Sequence, residues 1–345
     1  MKKRNRSWCI LVLAMFLSLT LPLSAFAQDT ATSTQSGNKL LIYYATPKLV
    51  NNLGNDAAAA AVFAKYDYVV FGAGLDSPTH SYHVSTQNII QLIHSLNPST
   101  KIFGYVDLGV STNNFPTGVL QTKIMQWKQM GVNGIFLDDS GYDFLTPRER
   151  LNTTLDFIHN NQLSGFVNAW KPDDVLGSAV TSMNPTGAPT HMGRNDFYLL
   201  ESFVVNTATS NTAYKSNGGY ALSSAMKQRG DKVIQYKKQL GVKMLAINIV
   251  DYSVYTNDQI AKFFQMAEVG SLIFGLDGYG VTGSYYSASG ANRFIVRDHA
   301  YNTNYNNLLS KFPGYTANTA QTEFARAGFK LHNEPSSHWW NYRQL

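Results

Sequence analysis

Apolar and polar positions along this chain alternate between two periods. Short runs rich in Val, Ile, Leu, Phe and Tyr recur at Lys39–Tyr44, Tyr68–Phe71, Lys101–Val106, Gly134–Asp138, Gly165–Asn168, Phe197–Glu201, Met244–Val250 and Ser271–Gly275. Near-continuous apolar runs of this length read as strands buried on both faces of a parallel sheet. Between them the spacing becomes helical. Leu120, Ile124 and Trp127 precede Gly131, and Ile260, Phe263, Phe264 and Ala267 precede Gly270, each glycine standing where a helix C-cap belongs. Thr146-Pro147-Arg148-Glu149 and Thr256-x-x-Gln259 read as capping boxes that open helices. Eight strand–helix repeats over about 240 residues predict an α/β protein built as a single (β/α)8 TIM barrel. A doubly wound sheet is the other arrangement of such units. Gly72-Ala73-Gly74 does not complete a nucleotide-binding loop, because Ser77 stands at the third glycine position and the run follows the second strand. It reads as a tight turn.

The two ends of the chain fall outside this pattern. Lys2, Lys3, Arg4 and Arg6 precede an apolar stretch from Trp8 to Leu19 and then Ala25-Phe26-Ala27. That order is a secretory signal peptide, residues 1–27, with cleavage expected after Ala27 and a secreted, extracellular product. Residues 28–38 are rich in Ser, Thr, Gln and Gly and read as a flexible leader. The remaining domain, 39–345, ends in an irregular extension from about residue 278, dense in Gly, Asn, Tyr and Ser.

Composition narrows the partners. The only cysteine, Cys9, leaves with the signal, so a secreted fold without disulfides relies on a large core. No second apolar run approaches the roughly 18 residues that span a bilayer, so no membrane association is expected after cleavage. The net charge of +6 comes from 28 basic and 22 acidic residues, and losing the four basic residues of the signal leaves 24 against 22. Near-neutrality argues against nucleic acid as a partner. A monomer is expected.

In a (β/α)8 barrel the reactive groups project from the C-terminal ends of the strands. Here the strand ends are polar: Tyr44, Asp107, Asp138 with Asp139, Asn168, Glu201, Asp251 and Asp277, for strands one, three, four, five, six, seven and eight. Acids beside an apolar core are costly unless paired or used, so their joint placement points to a site. For any one of them a loop-bracing hydrogen bond is an equal alternative. No Gly-x-Ser-x-Gly, His-Glu-x-x-His or Cys-x-x-Cys occurs, and His80 with His83 lacks a third ligand. No metal or cofactor is therefore implied.

Two carboxyl groups acting without a cofactor perform glycoside hydrolysis. Glu201 lies among apolar residues in Phe197-Tyr198-Leu199-Leu200-Glu201-Ser202-Phe203, which suits a general acid, and Asp138 is then nucleophile or base. Adjacent residues of a regular strand face opposite sides, so Asp138 is preferred to Asp139. Tyr44, Tyr105, Tyr142, Trp170, Tyr252 and Tyr279 lie where aromatic faces would receive sugar rings, or where they would pack helices onto the barrel. The candidate substrate-binding set is Tyr44, Asp107, Asp139, Tyr142, Asn168, Trp170, Asp251 and Asp277.

Ile42-Tyr43-Tyr44, Val69-Val70-Phe71-Gly72, Ile102-Phe103-Gly104-Tyr105-Val106-Asp107-Leu108-Gly109, Gly131 through Asp143, Asn168 and Leu200-Glu201-Ser202-Phe203 occur in this order. Together they resemble the secreted glycoside hydrolases related to endo-α-1,4-polygalactosaminidase and to the hydrolase domain of Pel exopolysaccharide proteins. The resemblance runs from about Leu40 to Gly278. It implies a (β/α)8 barrel that cleaves partially deacetylated galactosaminoglycan polymers, with the strand-four Asp and strand-six Glu as the catalytic pair, here Asp138 and Glu201. Two other functions fit the same residues: a polysaccharide-binding barrel of the cell envelope without turnover, and a metal-dependent hydrolase with Asp107, Asp138, Asp139 and Asp277 as ligands.

Overall fold

In the computed structural model the described residues are 38–204, 225–253, 255–283, 295–299, 305–312, 314–334 and 337–341. The expected signal peptide, 1–27, and all but the last residue of the expected leader, 28–38, lie outside them. Eight parallel strands pair in chain order: β1 (Leu40–Tyr43), β2 (Tyr68–Phe71), β3 (Lys101–Asp107), β4 (Gly134–Asp138), β5 (Ser164–Asn168), β6 (Phe197–Glu201), β7 (Lys243–Val250) and β8 (Gly278–Gly283). The last strand returns to the first. The Tyr279 amide donates to the Asn38 carbonyl at 3.1 Å, and the Thr282 hydroxyl donates to the Ile42 carbonyl at 3.3 Å. Glycine makes this closure possible, because a Cβ on Gly280 would lie 2.1 Å from the Leu40 carbonyl oxygen. The result is the (β/α)8 barrel that the sequence predicts.

Among the described residues seven α-helices lie between the strands: α1 (Asp56–Phe63), α2 (His83–Leu96), α3 (Thr117–Met130), α4 (Arg148–Asn160), α5 (Pro172–Leu176), α6 (Met226–Leu240) and α7 (Asn257–Phe274). The α3 helix ends at Gly131 with φ +95°, as its spacing predicts, and Thr256 with Gln259 forms the expected capping box on α7. The α4 box does not form. Thr146 is buried, and its hydroxyl donates to the Asp139 carbonyl at 2.9 Å instead of capping α4.

The eighth strand is a correction. Ser271–Gly275 is the end of α7, which continues through Gly270 and is capped by Gly275 at φ +66°. Every residue from Met266 to Phe274 is buried, so the helix loses its polar face and its sequence looks like a strand run. The strand itself, Gly-Tyr-Gly-Val-Thr-Gly, has little of the usual strand composition. Burial of α7 on its outer side has a cause in the C-terminal extension. Helix α8 (Tyr305–Lys311) is followed by four antiparallel strands, β9 (Thr316–Ala317), β10 (Glu323–Arg326), β11 (Phe329–Glu334) and β12 (Ser337–Asn341). The extension thus carries regular structure that the sequence pattern does not reveal. Phe274 packs on Tyr315 and Phe324, and the Arg326 guanidinium caps the end of α7 by donating to the Leu272 carbonyl at 3.0 Å.

Side-chain period two sorts the strands into two cores. Outward residues such as Leu41, Tyr43, Val69, Ile135 and Leu200 pack under the helices. Inward residues Ile42, Val70, Phe103, Phe136, Phe166, Phe197, Leu199 and Ile247 fill the barrel. Phe103, Phe136, Phe166 and Phe197 meet largely edge to face at centroid distances of 5.1–5.8 Å, each contact worth about 0.5–1.5 kcal/mol beyond burial. This aromatic plug closes the barrel beneath its C-terminal mouth. Among the described residues no helix is long and apolar enough to cross a membrane.

Candidate active site

The inward register continues one step above the plug, and the residues change character. Two positions beyond Phe136 stands Asp138, two beyond Phe166 stands Asn168, and two beyond Leu199 stands Glu201. These three converge. A single nitrogen, Nδ2 of Asn168, donates to Asp138 Oδ1 at 2.8 Å and to Glu201 Oε2 at 3.0 Å. Two bonds of those lengths from one atom hold the two carboxylate oxygens no more than about 5.8 Å apart.

The two carboxyl groups differ in their surroundings. Burial pushes Asp138 up from the ordinary carboxylate range, opposed by hydrogen bonds from Asn168, the Tyr105 hydroxyl and the Asp139 backbone N–H. Burial also pushes Glu201 up and the Asp138 charge raises it further, opposed by the Asn168 amide, its one donor among the described residues, and by the Arg229 charge. Three donors favour a carboxylate at Asp138, and one leaves Glu201 the better proton carrier. Tyr105 is driven above its ordinary value by burial and by the charges of Asp138, Asp139 and Asp107, so its hydroxyl remains a donor.

Both strands break immediately after their acid. Asp139 has φ +54° and Ser202 has φ +46°, a left-handed backbone uncommon outside glycine. The alternation expected for a regular strand therefore stops at Asp138, and Asp139 turns into the same cleft. Burial, then the charges of Asp138, Asp107, Glu201 and Asp143, push Asp139 up to about 7. The Thr146 hydroxyl, by holding the Asp139 carbonyl, fixes this turn.

The cleft has a volume of about 440 Å³ and is lined by Tyr44, Tyr105, Asp138, Asp139, Asp143, Phe144, Asn168, Ala169, Trp170 and Glu201. Four carboxyl groups face it, and among the described residues no Lys, Arg or His lines it. Seven of the residues singled out from sequence meet here: Tyr44, Tyr105, Asp138, Asp139, Asn168, Trp170 and Glu201. Asp143 and Phe144 were not selected, although both lie in the loop that follows β4.

Four other candidates do not line the cleft. Asp107 is buried and turned into its own loop, accepting from the Gly109 amide at 2.8 Å and the Thr112 hydroxyl at 2.7 Å. The Tyr142 amide donates to Asp174, and Asp251 accepts from the amide and hydroxyl of Ser253. Asp277 precedes β8 and so lies at the opposite end of the barrel, where Lys237 approaches Oδ1 at 2.8 Å and the Met244 amide donates to Oδ2 at 2.8 Å. Its placement at a strand end followed from reading α7 as a strand. The ligand set Asp107, Asp138, Asp139 and Asp277 is consequently not assembled, and among the described residues no group of three or more His, Cys, Asp or Glu is placed to hold a metal ion. His83 Nδ1 is used by the Leu75 carbonyl and His80 Nδ1 accepts from the Tyr82 amide, so both brace the β2–α2 loop. Tyr279 packs against Tyr305, and Tyr252 donates to the Val281 carbonyl.

No family model matches the sequence, and no curated protein matches it. Solved structures resemble the chain at low identity. The glycoside hydrolase domain of PelA from Pseudomonas aeruginosa is 14% identical over 76% of this chain and 100% of that one, with a TM-score of 0.43. The cellulose synthase subunit Z of Clostridioides difficile is 9% identical over 74% of this chain and 94% of that one, with a TM-score of 0.42. A D-psicose 3-epimerase crystallised with D-fructose is 10% identical over 74% and 87% of the two chains, with a TM-score of 0.40. The barrel is established by the chain's own strand pairing, and the chemistry rests on the side chains of its mouth.

Proposed function

We propose that this protein is a secreted glycoside hydrolase that cleaves within an amino-sugar exopolysaccharide, of the galactosaminogalactan or polygalactosamine type, with Asp138 and Glu201 as its catalytic pair. The observation that carries the reading is the Asn168 amide shared by the two carboxylates, with its ceiling of about 5.8 Å between the bonded oxygens. Retaining glycosidases hold their carboxyl groups about 5–5.5 Å apart, whereas inverting ones need roughly 6.5–9.5 Å to admit a water between them. The reading is therefore a double displacement. Glu201 gives its proton to the glycosidic oxygen as the bond to the anomeric carbon breaks, and Asp138 attacks that carbon to form a glycosyl ester. Glu201, now a carboxylate, takes a proton from the water that displaces Asp138.

The choice of an amino sugar rests on charge. A cleft lined by Asp138, Asp139, Asp143 and Glu201, with no cationic side chain among the described residues that line it, favours ammonium groups on the substrate and disfavours uronic acids. Tyr44 and Trp170 supply aromatic faces for sugar rings. No cofactor or metal is needed for this chemistry, and the protein is proposed to act as a monomer.

The test is incubation with α-1,4-linked galactosamine oligomers and polymer, scored by new reducing ends. Wild type releases oligosaccharides, with or without a chelator. Asp138→Asn and Glu201→Gln release none while keeping the wild-type circular dichroism spectrum. Full activity in both variants would overturn the assignment.

A further inference from the structure

Arg229 stands where a charge is least expected. On α6 the buried residues are Met226, Arg229, Gly230, Val233 and Tyr236, an apolar stripe in which a leucine or methionine would serve for packing. The arginine is 4% exposed, and among the described residues neither its Nε nor its Nη2 has a partner at good hydrogen-bond geometry, the Tyr198 hydroxyl being the polar side chain that faces it. Burying a guanidinium so sparsely paired is costly, so the contacts it does make must need this group.

Those contacts all lie behind the cleft. Nη1 donates to the backbone carbonyl of Glu201 at 2.8 Å. The guanidinium carbon sits 4.2 Å from the centre of the Trp170 ring, a cation–π stack. The Tyr198 hydroxyl lies beside the guanidinium and donates to the Ala169 carbonyl at 2.6 Å, joining β6 to the segment that carries Trp170. Trp170 is itself 43% exposed and lines the cleft next to Glu201. A buried cation thus supports an open aromatic surface and the strand end of the proposed acid at once.

We infer that Arg229 is a positioning residue that sets the height and tilt of the Trp170 ring, a sugar-stacking platform, relative to the Glu201 carboxyl group. This rests on the proposed glycosidase reading. A planar cation is required for the stack, and its charge acts on Glu201 through the barrel wall. Lysine supplies the charge without the plane; methionine supplies neither.

The experiment compares Arg229→Lys, Arg229→Met, Trp170→Ala and Glu201→Gln on α-1,4-linked galactosamine oligomers, with kcat and KM measured across pH and melting temperature recorded for each. Trp170→Ala raises KM about tenfold or more with little change in kcat, and leaves the alkaline limb of the pH profile in place. Arg229→Lys raises KM similarly and also keeps that limb, because the charge remains. Arg229→Met lowers kcat/KM on the order of a hundredfold, as expected for a misplaced platform and acid, and moves the alkaline limb to higher pH, because a neighbouring cation that favours the Glu201 carboxylate is gone. If Arg229→Met does not fold, the Lys variant alone decides, through its KM. Wild-type KM in Arg229→Lys, or a loss in Arg229→Met with an unmoved pH limb, overturns the inference. Normal turnover by Glu201→Gln would instead overturn the catalytic pair, whatever the arginine variants do.

Discussion

The two ends of the barrel use the same side chains for opposite purposes. At the N-terminal end, the residue just before each even-numbered strand is Asp67, Asn133, Asp196 or Asp277. Each accepts the backbone N–H at the start of the preceding odd-numbered strand: Lys39 at 2.7 Å, Ile102 at 2.8 Å, Gly165 at 2.7 Å and Met244 at 2.8 Å. Four clips of one design fasten the strands in pairs around the barrel. Two carry further partners, His159 on Asp196 and Lys237 on Asp277. At the C-terminal end Asp138, Asp139, Asp143 and Glu201 share one cleft with no cation lining it among the described residues, and the backbone leaves the strand immediately after Asp138 and Glu201. A satisfied acid braces; an acid placed among acids is held ready to exchange protons.

That contrast is open to direct attack by substitution. Asp138→Asn or Glu201→Gln should lower kcat/KM by about 10²–10⁴-fold or more while leaving the melting temperature unchanged or raised, since a buried acid beside another acid is removed. Asn168→Ala should cost on the order of a hundredfold through lost alignment of the pair, again with little loss of stability. The opposite end should behave in reverse. Asp196→Ala or Asp277→Ala leaves a backbone N–H without its acceptor and should destabilise the fold by about 1–3 kcal/mol, read by denaturant unfolding, with kcat per folded molecule kept. An equal loss of activity and stability at both ends would erase the distinction.

The smallest effect concerns Asp139. Its folded value of about 7 lies above its ordinary 3.8, so the folded chain binds that proton more tightly than the unfolded chain. Stability from this group is therefore present at low pH and is lost as pH rises from about 4 to about 7. Asp139→Asn should flatten the fall in melting temperature over that window and be more stable than wild type at pH 8. A parallel pH dependence in the two proteins would show that Asp139 titrates normally.

Much of this was legible in the sequence where local pattern and tertiary outcome agree. Strands β2, β4 and β6 begin and end at the residues their apolar runs mark, because both faces of each are buried. The meeting of Asp138 and Glu201, the proposed catalytic pair, was legible because they occupy the first polar positions of the inward register. Failure came where tertiary structure overrides period. Helix α7 is covered on its outer side by the C-terminal sheet, so Ser271–Gly275 imitates a strand, and Asp277 was carried with it to the wrong end. Asp139 was selected as a substrate contact, but strict alternation set it on the opposite face from Asp138, and φ +54° abolishes that alternation. Asn168 was visible as a strand-end amide, but its bridging role depends on three strands meeting. Arg229 had a signal that was not used: a charged residue on the apolar stripe of α6.

The most direct test of the central claim is the configuration of the first product. Proton NMR should follow hydrolysis of an α-1,4-linked galactosamine oligomer by wild-type protein in its first minutes, before mutarotation. A pair held by one amide within about 5.8 Å predicts that the new reducing ends appear as the α-anomer, with the β-anomer growing in later. Initial release of the β-anomer would contradict the account.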